Sequence, residues 1–138
     1  MIYSAKISNR QNHHQVNLKT GNRGHSIEIS PNDNGFGSRA SGGELLFLAL
    51  ATCFCNDIYR ESARFGVVVT AVDVEVSGEF EAAGLPAKNV QYRVRVESES
   101  PEADLRRLVE YTDEIAEIQQ TVRIQTAVPL TKVEIVRP

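Results

Sequence analysis

The stretch GGELLFLALATCFCNDI, residues 42–58, opens on two glycines and then runs with hardly a polar break as far as Asn56. Leu, Ala, Phe and Glu dominate Glu44 to Phe65, and Gly66 stands where a helix would stop, so the pattern predicts a helix over 44–65. Its first half, ELLFLALATCFC, is apolar all round rather than along one stripe. A helix of that kind is buried on every side. A chain of 138 residues has little material to surround it alone, so a second subunit is expected to help cover it, in a homodimer.

The bulk composition agrees with a single ordinary globular domain, 1–138: 41% hydrophobic, 24% charged, formal charge -3. That mild acidity offers no electrostatic case for nucleic acid or an anionic membrane as partner. The N-terminus, MIYSAKISNRQ, is polar by residue 4 and lacks the apolar core of a signal peptide. The apolar run Leu45 to Cys55 is shorter than the roughly 18 residues a membrane span needs. A soluble, cytoplasmic protein with reduced thiols is expected.

Outward from the helix, residues 1–30 read as short strands: Ile2 to Ser8, Gln15 to Lys19 and Ser26 to Ser30 alternate loosely, and TGNRG at 20–24 is hairpin chemistry. Residues 31–43, PNDNGFGSRASGG, are a loop by composition, and such loops often carry function. Beyond the helix, 67–97 predicts a strand pair. Val72, Val74 and Val76 share one face and Asp73 and Glu75 the other; Val90, Tyr92, Val94 and Val96 oppose Arg93 and Arg95 in the same way. The acids and arginines are expected to pair across the wet face, for a few tenths of a kcal/mol each. Ser100 and Pro101 predict an N-cap and first turn for a second helix over 101–119, and 130–137 a closing strand. The order βββ-α-ββ-α-β argues for an α+β fold with antiparallel sheets.

Only two cysteines occur, Cys53 and Cys55. On a helix they point about 200° apart, so they neither bond to each other nor clip one metal. His13, His14 and His25 make no zinc spacing with them, and neither a metal nor a cofactor is expected. Packing is one reading of both, since free cysteine behaves as a small apolar residue. Chemistry is the other, and helical phase separates the pair. Cys53 shares its face with Asn56, Asp57, Arg60 and Arg64; Cys55 faces Leu48, Ala51, Tyr59 and Ser62. A cation near a thiol lowers its pKa, so Cys53 is the candidate nucleophile, with a loop arginine better placed than Arg60 or Arg64 to set it.

GFGSR at 35–39, then GGELLFLALATCFCNDI, Gly66 and the alternating valines, resemble the OsmC-like superfamily, which includes the organic hydroperoxide resistance proteins. The likeness covers nearly the whole chain in element order, and E-L-L-x-x-A-L-A-x-C is its most specific part. It implies an intertwined α+β homodimer whose central helices are wrapped by sheets. It puts Cys53 at the peroxide-attacking cysteine and leaves Cys55 to packing. Arg39 matches the loop arginine of active members better than Arg23, which resembles that of the hydroperoxide-resistance branch. Where peroxidase-type members carry the acid that orients this arginine, this chain has Gly43; Glu44, next to it, matches the acid of other OsmC-like proteins. Glu44 equally suits the positive end of a helix dipole. Cys53, Arg39 and Glu44 are the candidate catalytic residues.

The resemblance also implies a second, resolving cysteine in a Cys-Pro motif, and matching AVPLT at 127–131 to the closing strand places it near Ile118, in EIAEIQQTV. Neither residue is there. Three functions are left open: reduction of organic hydroperoxides by one cysteine with an external thiol reductant; a catalytically degenerate dimer that binds a small apolar or electrophilic ligand; and a redox-responsive interaction protein.

Overall fold

A computed structural model describes all 138 residues and has two compact units, Met1–Leu46 and Phe47–Pro138. In the first, β1 (Tyr3–Arg10), β2 (His13–Thr20) and β3 (Arg23–Ile27) form an antiparallel sheet in sequence order. Both connections are two residues long, with the positive φ that tight hairpins require: Asn12 at 58° and Gly21 at 56°. TGNRG is thus a hairpin as expected, but β3 starts at Arg23 rather than Ser26, because so short a turn returns the chain to the sheet at once.

The loop that follows is pinned to the β1–β2 hairpin. The Asn12 amide donates to the Gly35 carbonyl at 2.7 Å, and the Asn9 side chain both accepts from the Gly37 amide at 3.1 Å and donates to its carbonyl at 3.3 Å. Gly35 sits at φ 87° with Asn12 Oδ1 only 2.5 Å from where a Cβ would stand, so glycine is required there. Ser41 caps the next element: its Oγ accepts from the Glu44 amide at 3.1 Å.

That element is α1 (Gly42–Glu61), followed by a 3-10 turn, Ser62–Phe65, and Gly66 at φ 63°. The expected helix thus begins two residues earlier and tightens over its last four. Burial on every side is expected only with a second copy, and the single chain leaves part of the helix open. Leu50, Phe54, Asp57 and Ile58 form one buried stripe, whereas Leu46 and Leu48 are exposed, Leu48 at 57%.

In the second unit, β4 (Ala71–Glu79) and β5 (Lys88–Glu97) pair antiparallel in the expected register, Val72 opposite Val96, Val74 opposite Val94 and Val76 opposite Tyr92. Val67–Thr70 precedes the strand, although Val67 is buried. Arg93 pairs with Glu75 at 3.0 Å and Arg95 with Asp73 at 3.4 Å, solvent-exposed contacts of small energy. Phe54, Ile58, Val67 and Leu108 form the core, with Tyr92 meeting Phe54 edge to face at 5.6 Å.

The second helix is two. α2 (Glu102–Ile115) ends at Ala116, whose backbone is extended (φ -64°, ψ 110°), and α3 (Glu117–Arg123) follows at once. The carbonyls that a continuous helix would give to Glu117 and Ile118 are taken by side chains: Arg123 donates to the Asp113 oxygen at 3.2 Å and Gln120 to that of Glu114 at 2.6 Å. Ser100 does not cap α2. Pro101 holds that position, and Ser100 Oγ instead accepts from the Val68 amide at 3.1 Å. The closing strand over 130–137 is also absent; no strand pairs with the segment, and Leu130, Val133, Ile135 and Val136 are exposed. The observed order is βββ-α-ββ-αα. No helix is long and apolar enough to cross a membrane.

Phe54 touches both the strands and the helices of this core, so Phe54→Ala is expected to cost about 3–5 kcal/mol, measured as a lower urea midpoint; a loss below about 1 kcal/mol would show that its contacts do not hold the unit together.

Candidate active site

Cys53 lies in the fourth turn of α1, on the side toward α3. Its Sγ is 3.6 Å from Asp57 Oδ2, one turn on, and 3.6 Å from Glu117 Oε2 at the start of α3. The break at Ala116 leaves the Ile118 amide, next to Glu117, without a helical acceptor. Asp57 is 3% exposed, and its other oxygen receives Arg60 Nη1 at 2.9 Å. Arg60 also contacts Glu61 at 3.1 Å, and Arg64 packs over the Tyr111 ring and donates to its hydroxyl at 2.6 Å.

The thiol is therefore set by acids. Burial, then the negative charges of Asp57 and Glu117, push the Cys53 pKa up, and the Ile118 amide opposes them. Burial and the Glu117 charge likewise raise Asp57, against the pull of Arg60. The arginines on the Cys53 face of α1 do not lower its pKa, because both are engaged by other groups. In phase, Asp57 was the informative neighbour. Glu117, 64 residues away, is the functional candidate that sequence reasoning missed; only the placement of a resolving site near Ile118 pointed to that segment.

The other candidates lie in the first unit. Arg39 pairs with Asp33 at 2.5 Å, both side chains well exposed. Arg23 opens β3 opposite Thr20. Glu44 sits in the first turn of α1, its amide capped by Ser41 and its side chain exposed. Cys55 is half-buried, and both cysteines are free thiols. Cys53, Asp57 and Glu117 also hold three potential metal-ligand atoms within 4.8 Å of one another, a grouping that the histidine spacing does not reveal. Arg60 already supplies positive charge there.

The sequence model of OsmC-like proteins matches residues 35–131, which includes most of the loop, α1, the strand pair and both C-terminal helices. The chain belongs to the OsmC-like family. No curated protein matches it. Among solved structures it is similar to an OsmC-like hydroperoxide resistance protein from Jannaschia sp. CCS1, with 19% identity over 95% of this chain and 90% of that one and a TM-score of 0.54. It is also similar to an organic hydroperoxide resistance protein OsmC from Legionella pneumophila (17% identity, 89% and 90% covered, TM-score 0.55) and to a hypothetical protein from Aquifex aeolicus VF5 (16%, 91% and 88%, TM-score 0.62). At these identities the likeness is one of fold, and it agrees with the mixed α+β architecture of antiparallel sheets and three helices.

In a Cys55→Ser background, alkylation of Cys53 across a pH series is expected to give a midpoint above the free-thiol value of about 8.5, and Asp57→Asn to lower it. A wild-type midpoint below that value would overturn the acid-dominated site. Because Asp57 is raised in the fold, the stability linked to its proton is complete at pH values below its unfolded pKa and is lost as pH rises through the folded one. Asp57→Asn should flatten that part of the urea stability profile.

Proposed function

We propose that the protein reduces organic hydroperoxides through a single thiol, Cys53, and that an external dithiol regenerates it. Membership of the OsmC-like family supports the reaction class. The observation that carries the one-cysteine form is at the sulfur: the group facing Sγ from the 117–118 segment, where the resemblance places a resolving cysteine, is a carboxylate. The only other thiol, Cys55, is two helix positions away and points about 200° from Cys53.

The chemistry is short. The Cys53 sulfur attacks the distal peroxide oxygen, the O–O bond breaks, and sulfenic acid and an alcohol form. One thiol of the reductant then displaces water to give a mixed disulfide, and its second thiol releases Cys53 and leaves as the intramolecular disulfide. Arg39 enters as the guanidinium that offsets the developing alkoxide charge, and Glu44 as its orienting acid, on the strength of the resemblance. The Arg39–Asp33 pair is solvent-exposed on both sides, so its dissociation costs at most about 1 kcal/mol. The exposed Leu46 and Leu48 support a homodimer in which a second copy covers α1. A cytoplasmic setting, where dithiols are kept reduced, completes this reading.

The acids beside Cys53 favour a second reading, a degenerate family member whose protonated thiol does no peroxide chemistry and whose dimer binds a small apolar or electrophilic ligand. Consumption of cumene hydroperoxide with dihydrolipoamide decides between them. Cys53→Ser is expected to abolish it and Arg39→Ala to lower kcat/KM at least tenfold; equal rates in wild type and Cys53→Ser would leave the binding reading.

A further inference from the structure

We propose that Glu117 is the proton shuttle of Cys53, taking the thiol proton as the sulfur attacks and returning it to the departing alkoxide. This rests on the hydroperoxide reading of Cys53 and adds a residue to it.

Two carboxylates stand at the same distance, 3.6 Å, from a sulfur that has one proton to give. They are not equivalent. Asp57 is buried and its second oxygen is held by Arg60 at 2.9 Å. Glu117 is exposed, forms no ion pair, and Cys53 is its only side-chain hydrogen-bond partner. Of the two, Glu117 alone has a carboxylate free to turn toward an incoming peroxide while still in reach of the sulfur.

Charge bookkeeping points the same way. Loss of the thiol proton to solvent would leave a thiolate and two carboxylates beside one guanidinium, that of Arg60. Movement of the proton onto Glu117 leaves the net charge of the cluster unchanged, so the sulfur becomes anionic without adding a third negative charge. The Ile118 amide, next in sequence to Glu117 and free of the helical ladder, favours the negative charge that develops on the sulfur. One turn of chain thus brings both the proton acceptor and a backbone dipole that favours the anion.

The step balances. The S–H bond breaks as Glu117 takes the proton; the sulfur electron pair forms an S–O bond to the distal oxygen; the O–O bond breaks with its electrons on the alkoxide; and the alkoxide takes the proton from Glu117. Thiol plus hydroperoxide become sulfenic acid plus alcohol, with sulfur oxidised, peroxide reduced and Glu117 again a carboxylate.

A Glu117 that merely repels the thiolate would give the opposite kinetics, so two reactions of one sulfur separate the cases. Alkylation by iodoacetamide expels iodide and needs no returned proton; oxidation by cumene hydroperoxide does. Both are followed under single-turnover conditions in a Cys55→Ser background, with the sulfenic acid trapped by dimedone and read by mass spectrometry. Glu117→Gln is expected to alkylate at a lower pH midpoint than wild type yet to be oxidised about 10²-fold more slowly, and Glu117→Asp to recover part of the oxidation rate. Oxidation of Glu117→Gln as fast as wild type, or a parallel fall of both reactions, would overturn the shuttle and leave the hydroperoxide reading standing. A wild type that forms no sulfenic acid would overturn both.

Discussion

The placement of Ala116 is the constraint on which the site depends. Its extended backbone ends α2, removes the Ile118 amide from the helical ladder and turns Glu117 back toward α1. A straight helix through residue 119 would spend that amide on the Glu114 carbonyl, and it would no longer oppose the rise in the Cys53 pKa. The break is held from several sides. Ala116 is fully buried, Gln120 and Arg123 occupy the vacated carbonyls, and Arg123 also reaches the Asp113 carboxylate at 2.7 Å, to which the Tyr92 hydroxyl donates. Burial and the Asp113 hydrogen bond push the Tyr92 phenol well above its ordinary range. Burial alone would raise Asp113, yet the bonds from Tyr92 and Arg123 outweigh it and hold the carboxylate ionised. β5, α2 and α3 are thus tied through one charged node beside the break.

The electrostatics at the sulfur invert the usual picture of a reactive thiol, which lowers its pKa with a neighbouring cation. Here desolvation and two carboxylates keep the proton on Cys53 at rest. A protonated resting thiol is slow to react with oxidants and electrophiles it meets by chance, because the thiolate is the nucleophile. Reactivity then depends on where the proton can go when the right partner arrives, and the two candidate functions differ at that point.

Legibility in the sequence followed the range of the interactions. The β4–β5 register and its acid–arginine pairs were readable because alternation is local and the pairing has few competitors. The β1–β2–β3 hairpins, α1 and Gly66 were readable for the same reason. The break at Ala116 was not, since alanine is the best helix former and no Gly or Pro marks the position; tertiary hydrogen bonds decide it. Ser100 carried a sound capping signal, but Val68 claimed its hydroxyl. The alternation in 130–137 was real, yet a strand exists only where another strand accepts its hydrogen bonds. At the candidate site, Cys53 could be singled out by helical phase, and Asp57 lay in that same phase. Glu117 could not, because nothing local links it to a residue 64 positions earlier.

Gly35 carries a consequence for the loop arginine. The glycine is wedged beneath Asn12, and a few residues on the Arg39 amide is fastened to the Ser30 carbonyl at 2.9 Å. Between them Pro31 bridges Ser38 and the Asn32 and Gly37 backbones meet. The guanidinium therefore hangs from a frame whose shape is set at the tip of the first hairpin. A bulkier residue at position 12 or 35 would therefore shift where this arginine is carried without touching the arginine itself, so the constraint on one loop side chain is spread over a hairpin more than twenty residues away.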